Sequence, residues 1–487
     1  MEAISPDDII RRIRSENPWW EGDHTINPFF QDMRRRPYFE LFFPLAKAKS
    51  VRRAVVLMGP RRVGKTVMIH HAIRALLDEG VSPKSICYFS VDHPIYNGLR
   101  LEQLLDFYGR STGLEYKSKQ IYVFFDEIQY LRRWEQHVKS VVDTHSNIKC
   151  IVSGSAAAAL RLKSTESGAG RFTDFLLPPL TFYEYLYLLN KTDLLEVHSE
   201  ESEERGQRRI FVAKNIEEFN TEFLHYLNFG GYPEVIFSPQ IQADPARFIK
   251  SDIVDKVLLR DLPSLYGIGD IQELNSLFTT LAFNTANEIS LGGLSQSSGV
   301  AKNTIKRYIE YLEAAFLIKL VHRVDRNAKR FSRANFFKVY LTNPSMRAAL
   351  FSPLNAEDAA IGPLTETAIF SQWFHSENVL NYARWHDGEV DIVMLGPKQK
   401  VVWAVEVKWS DRYCENPGEL KSLIGFCQSN GLKSSLVTSK TQVLTKRVDG
   451  LEIEFRPASV YCYTVGYNLI HGKKMKHLRE SPKTETT

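Results

Sequence analysis

The stretch AVVLMGPRRVGKTVM, residues 54–68, constrains this chain more than any other. A short apolar run, residues 54–58, leads into Gly59-Pro60-Arg61-Arg62-Val63-Gly64-Lys65-Thr66 and then into a segment with helical spacing. This is a G-x-x-x-x-G-K-[ST] loop with a strand before it and a helix after it. Such a loop turns several backbone N–H groups toward one anion at the positive end of a helix. The pattern predicts a bound nucleoside triphosphate, ATP. Lys65 would reach the β- and γ-phosphates, and the Thr66 hydroxyl would hold Mg²⁺.

A second element fits the first. Ile121-Tyr122-Val123-Phe124-Phe125-Asp126-Glu127 is an apolar run ending in two carboxylates. A buried parallel strand reads as a continuous apolar run, and α/β sheets place ligand groups at strand C-termini. Asp126 suits the Mg²⁺ shell, and Glu127 suits polarising the water that attacks the γ-phosphate. The alternative is a strand that ends in a solvated acidic turn.

Composition sets the bounds. A chain of 487 residues predicts about three domains. With 44% hydrophobic and 24% charged residues it reads as an ordinary globular protein. A net charge of +5 permits nucleic-acid binding without demanding it. The five cysteines (Cys87, Cys150, Cys414, Cys427, Cys462) form no C-x-x-C pair, which favours a reduced, cytoplasmic compartment. Residues 1–20 lack the apolar centre of a signal peptide, and no apolar run is long enough to span a bilayer.

From 51 to about 185, apolar runs alternate with helical patterns, which predicts a parallel sheet wrapped by helices. Upstream, Trp19 and Trp20 are expected to pack on that core. Arg34, Arg35 and Arg36 either touch phosphate or form a solvated face. Residues 198–210 read as an exposed charged loop, and 211–265 as helical. Between about 270 and 345, a serine-rich segment with Gly299 in the turn precedes Ala301–Tyr308 and an apolar stripe of Ile309, Leu312, Phe316 and Leu317. Two short helices around a glycine turn read as helix-turn-helix. The second helix would present Lys302, Asn303, Lys306 and Arg307 to a DNA backbone, unless the motif serves packing alone.

The last third carries a further chemical pattern. Residues 389–395 and 401–408 read as two strands around the turn Gly396-Pro397-Lys398. Period-2 alternation puts Glu406 and Lys408 on one face, with Asp391 arriving from the neighbouring strand. Upstream, a helical segment adds Glu366. These carboxylates suit a divalent cation, Mg²⁺ or Mn²⁺, that orients a nucleophilic water. An ordinary hairpin with a surface Glu–Lys pair is the alternative.

Taken together, several motifs resemble one prokaryotic AAA+-type ATPase family near the STAND and archaeal-ATPase branch. They are the phosphate loop, Asp126-Glu127-Ile128-Gln129, Ser153-Gly154-Ser155, Gly170-Arg171-Phe172, Leu177–Phe182 and Gly230–Glu234. Members often carry a winged helix and a C-terminal domain similar to PD-(D/E)XK nucleases. The resemblance covers about 50–465. It implies an α/β fold: a P-loop parallel sheet with a helical lid, a winged helix-turn-helix and a nuclease-like α/β domain. The segments expected are an accessory region at 1–50, the ATPase core at 51–185, a lid at 186–265, a winged helix at 266–350, the nuclease-like domain at 351–470 and a basic, polar, disordered tail at 471–487. The resemblance also implies that Ser153 or Ser155 senses the γ-phosphate, that Arg171 faces the phosphate and that Pro233 sits by the adenine. Asp391, Glu406 and Lys408 match the D…ExK of the nuclease fold, and Glu366 matches its helix-borne acid. The function expected is an ATPase coupled to a metal-dependent domain acting on DNA. The alternative is an ATPase switch whose C-terminal domain binds nucleic acid or a protein partner without cutting, in a defence or mobile-element setting. Self-association is left open.

Overall fold

The computed structural model describes residues 5–22, 25–155, 170–202, 206–330, 335–376 and 378–480. The chain forms two compact units, Met1–Pro178 and Pro179–Thr487.

The first unit is built on five strands: β1 (Ala54–Met58), β2 (Ile86–Ser90), β3 (Ile121–Asp126), β4 (Ile148–Gly154) and β5 (Phe172–Leu176). Their order is β2-β3-β4-β1-β5, and every pairing is parallel. The first, third and fourth strands are buried along their whole length, which is why their central residues are mostly apolar. Parallel strands need crossovers, and the helices Lys65–Asp78, Leu101–Thr112 and Trp134–Thr144 supply them. All C-terminal strand ends therefore lie at one edge of the sheet.

Residues before β1 belong to this core. The indole N–H groups of Trp19 and Trp20 both donate to the Ile86 carbonyl, at 3.1 and 2.8 Å. Asn17 is buried beside the edge strand β2, donating to the Tyr88 carbonyl and accepting from the Tyr88 N–H. A side-chain amide thus covers backbone groups that an open sheet edge would expose.

The second unit opens with helices and the hairpin β6 (Leu195–Ser202) and β7 (Gly206–Ala213). The sequence reading expects an exposed loop at 198–210, and a hairpin stands there instead. Its charged residues hide the strand pattern, but Phe211 is buried against Tyr463 and Tyr467.

The rest is organised by one nine-stranded sheet. Its strands are β8 (Glu288–Ser290), β9 (Ile318–Val324), β10 (Phe336–Leu341), β11 (Leu380–Trp385), β12 (Gly388–Leu395), β13 (Val401–Glu406), β14 (Ser434–Ser439), β15 (Leu444–Val448) and β16 (Leu451–Pro457). The order is β15-β16-β14-β13-β12-β11-β9-β10-β8. Helices Ile271–Phe283, Leu291–Ser298 and Lys302–Ala314 belong with β8, β9 and β10. The parallel pairing of β9 with β11 (His322 opposite Asn381) joins that group to the strands bearing Asp391 and Glu406. A core of Ala383, Val390, Val393, Ala404, Phe426, Val437 and Phe455 fills one side. The final helix runs Ala458–Glu480, past residue 471, where the sequence reading begins a tail. Among the described residues, no helix is long and apolar enough to cross a membrane.

Candidate nucleotide site and a buried acid cluster

The phosphate loop follows β1 directly. Gly59 is forced by close approach, because a Cβ there would stand 2.1 Å from the Leu177 carbonyl oxygen. Gly64 takes a left-handed φ of 90° and caps the helix that begins at Lys65. The Lys65 ammonium is buried and donates to the carbonyls of Gly59 and Pro60, at 3.1 and 2.8 Å.

The ends of β3 and β4 complete this edge. Thr66 Oγ1 donates to Asp126 Oδ2 at 2.7 Å, and the Tyr88 hydroxyl donates to the same oxygen at 3.0 Å. Ser153 donates to Asp126 Oδ1. The carboxylate is thereby fixed beside the Thr66 hydroxyl, and this oxygen pair fits a Mg²⁺ shell shared with phosphate. Glu127 follows in a left-handed conformation, φ 56°, which a non-glycine residue adopts at a cost and which is common at working sites. Burial pushes its carboxyl up, Lys65 opposes that shift, and the Asp126 charge adds to it. Ser155 begins just past β4, with its hydroxyl buried and unpartnered and its N–H donating to Gln129.

Two supports here escape the sequence reading. Gln129 donates to Glu127 and accepts from Ser155, linking the acid to the serine. Its place in the Asp-Glu-Ile-Gln motif is the signal that was available. Arg36 is buried, and one of its guanidinium nitrogens donates to the Val63 carbonyl at 2.7 Å and the Pro178 carbonyl at 3.0 Å. It therefore braces the phosphate loop and is not part of a solvated face.

Arg171 stands elsewhere. Ala54, the first residue of β1, donates its N–H to the Arg171 carbonyl, and Phe172 pairs with Ala54. Arg171 thus lies at the N-terminal edge of a parallel sheet whose phosphate loop leaves the C-terminal edge, roughly 15 Å away along the strand. There it pairs with Asp143 at 2.5 Å, both partners being partly exposed. Its side chain is thus paired with Asp143 at the edge opposite the phosphate loop. Pro233 belongs to the second unit, where it opens the short helix Pro233–Ile236.

In the second unit, Asp391, Glu406 and Lys408 converge as their spacing predicts. Ile392 pairs with Val405, so Asp391 and Glu406 are the next facing residues of β12 and β13. Lys408 Nζ lies 2.7 Å from Glu406 and 3.6 Å from Asp391. Asp391 also accepts from the Val407 N–H at 2.9 Å. Burial favours the neutral acid at Asp391, but Lys408 and then Lys338 more than offset it, holding its carboxyl below the usual range. Burial, with the Asp391 charge adding, pushes Glu406 up to about 8 and Glu366 up to about 7.

Lys338, on β10, is the cluster's unforeseen member. Its ammonium lies 2.9 Å from Glu366, 2.6 Å from Glu389 and 3.4 Å from Asp391. Tyr340, two residues on, donates to Glu366. The sequence signal was a lone charge inside the apolar run FFKVYL. Glu366 joins the cluster through this lysine. Among the described residues, no group of three or more acids, histidines or cysteines is arranged to hold a metal ion. The residues present do not fit a divalent ion alongside Lys338.

Residues 51–186 match the AAA domain family, and residues 220–358 match a domain of unknown function (DUF8612). Over 407 residues the chain is 23% identical to an uncharacterized protein of Haemophilus influenzae, spanning 82% of this chain and 92% of that protein. It is 22% identical to the uncharacterized protein MJ1637 of Methanocaldococcus jannaschii, spanning 78% of this chain and 81% of that one. Among solved structures, the Aeropyrum pernix ORC1 protein in complex with DNA aligns over 68% of this chain and 95% of its own, with 12% identity and a TM-score of 0.31. By the family match alone, residues 51–186 form an AAA domain, in which the phosphate loop lies.

Proposed function

We propose that this chain is an ATP-binding and ATP-hydrolysing switch whose second unit engages nucleic acid. The observation that carries this reading is the joint placement of Lys65, Thr66, Asp126 and Glu127 at one edge of the first sheet. In this reading the backbone from Gly59 to Gly64, with Pro60, Arg61, Arg62 and Val63, cradles the phosphates. Lys65 neutralises the β/γ charge. Thr66 and Asp126 hold Mg²⁺, which supplies charge stabilisation on the phosphoryl oxygens. Glu127 accepts a proton from the attacking water, and burial, by raising its proton affinity, suits that task. Ser155 has a free buried hydroxyl to offer the γ-phosphate. Pro233 is assigned beside the adenine by motif alone.

Lys65→Ala should weaken ATP binding in calorimetry by at least tenfold. Glu127→Gln should keep binding and lose hydrolysis by roughly 10²-fold or more. Equal affinity for wild type and Lys65→Ala would overturn the assignment.

DNA is the proposed partner because Lys302, Asn303, Lys306 and Arg307 are all exposed on one helix, while Ile305, Tyr308, Ile309 and Leu312 are buried beneath them. The three helices and three strands of this region support a winged-helix reading. Reversing the charges of Lys306 and Arg307 together should weaken DNA binding and lower its salt slope by about two. Unchanged curves across salt would return the helix to a packing role.

A second reading, cleavage by the Asp391–Glu406–Lys408 cluster, is favoured by the convergence of those side chains. Binding without cleavage is preferred because Lys338 already neutralises the acids.

A further inference from the structure

Lys338 sits between Glu366 and Asp391, two of the acids that a metal-dependent version of this cluster would use. Its Nζ lies between a Glu366 oxygen at 2.9 Å and an Asp391 oxygen at 3.4 Å. A divalent ion binds carboxylate oxygens at about 2.0–2.6 Å. An ion shared by these two oxygens would therefore fall on or against the ammonium. Two such cations in contact repel strongly in a buried setting.

The lysine is held there by the fold. It is 2% exposed and lies on β10 between β9 and β8, opposite Val321 on one side and Glu288 on the other. The β9–β11 pairing continues the same sheet to β12, which carries Asp391. The ring of Tyr382, on β11, lies 5.5 Å from the ammonium. The ammonium donates to Glu366 and Asp391 and forms an ion pair with Glu389, so three carboxylates hold it in place. Swinging it out would strip these partners from a buried charge, a costly step.

Charge balance agrees. Glu366, Glu389, Asp391 and Glu406 face Lys338, Lys408 and Arg384, the last pairing with Glu389. Glu406 and Glu366 are pushed up to about 8 and about 7 and hold protons near neutral pH, so a divalent ion would add positive charge to a cluster already close to balance. Removing Lys338 instead leaves a surplus of carboxylates that a divalent ion would neutralise.

We propose that Lys338 is the resident cation of this cluster, replacing a divalent metal between Glu366 and Asp391. The wild-type cluster accordingly takes no Mg²⁺ or Mn²⁺, and a metal site emerges when the ammonium is removed. This inference is independent of the ATP assignment, which is read from Lys65 variants.

The test is Mn²⁺ titration of nucleotide-free, full-length protein followed by electron paramagnetic resonance. Wild type should show no stoichiometric site that depends on Asp391. Lys338→Met, which keeps most of the length of the side chain and removes its charge, should gain one Mn²⁺ per chain with at least tenfold tighter binding. It should also gain thermal stability on adding Mn²⁺. The double variant Lys338→Met/Asp391→Asn should lose both gains, which separates this ion from any bound near Asp126. A folded Lys338→Met protein that gains no site would overturn the proposal. So would a wild-type site abolished by Asp391→Asn, a result that stands even where Lys338→Met fails to fold.

Discussion

Lys65 and Lys338 are both buried, yet they hold their charges in opposite ways. Lys65 donates to two loop carbonyls, and Lys338 pairs with three carboxylates, donating to two of them. A phosphate oxygen is a stronger acceptor than a neutral carbonyl, so a nucleotide can recruit Lys65 with a net gain. No neutral or singly charged ligand improves on three carboxylates in a buried pocket. The first lysine is poised for exchange, and the second is committed to its own fold. The same residue type therefore marks the proposed nucleotide site in one unit and a closed charge network in the other.

The comparison breaks first at the loop that carries Lys65, if that loop is not held as firmly as β10 holds Lys338. Arg36 supplies the hold through Val63 and Pro178. Arg36→Met would leave both carbonyls short of a donor while keeping most of the side-chain volume. The expected loss is about 2–4 kcal/mol of stability, on the scale of stranding two buried acceptors. ATP affinity should fall several-fold, because the loop loses its backing. Urea melts with and without ATP measure both effects. A variant as stable as wild type would mean that the loop supports itself, and the contrast with Lys338 would narrow.

What the sequence revealed follows from how local each feature is. The phosphate loop and the Asp126-Glu127 strand end are contiguous words, and their surroundings fix their direction. Asp391, Glu406 and Lys408 were legible because strand alternation determines which residues share a face. Lys338 was not, because it comes from 53 positions before Asp391, on a strand whose neighbours are set by long-range sheet order. Arg36 was hidden for the same reason, since its partner Pro178 lies 142 positions away. The hairpin of β6 and β7 is hidden in the sequence because charged residues break its strand alternation, and its buried Phe211 packs on Tyr463 and Tyr467, far along the chain. Joining the two halves of the nine-stranded sheet through β9 and β11 has no sequence word at all; it depends on a parallel pairing between separate segments.

Arg171 sharpens the comparison from the other side. Its motif suggests a phosphate contact, but a residue that enters a parallel strand lies at the opposite edge from one that leaves a neighbouring strand. Arg171 enters β5 and the phosphate loop leaves β1, so the two are separated by the length of β1. What remains is the ion pair with Asp143, in which the side chains are 43% and 39% exposed. Exposed pairs of this kind contribute about 0–1 kcal/mol, because water screens the charges and ordering two long side chains has an entropic cost. Arg171→Ala should therefore lower stability by no more than about 1 kcal/mol and leave ATP turnover within a few-fold of wild type. Steady-state hydrolysis and a thermal melt on the same preparation check both. A loss of 10³-fold or more, the scale expected of an arginine that stabilises phosphoryl transfer, would overturn the reading of Arg171 as a structural residue only. Such a loss from that position would require the arginine to act on the nucleotide of another copy of the chain, and mixing Arg171→Ala with Lys65→Ala protein would then restore activity.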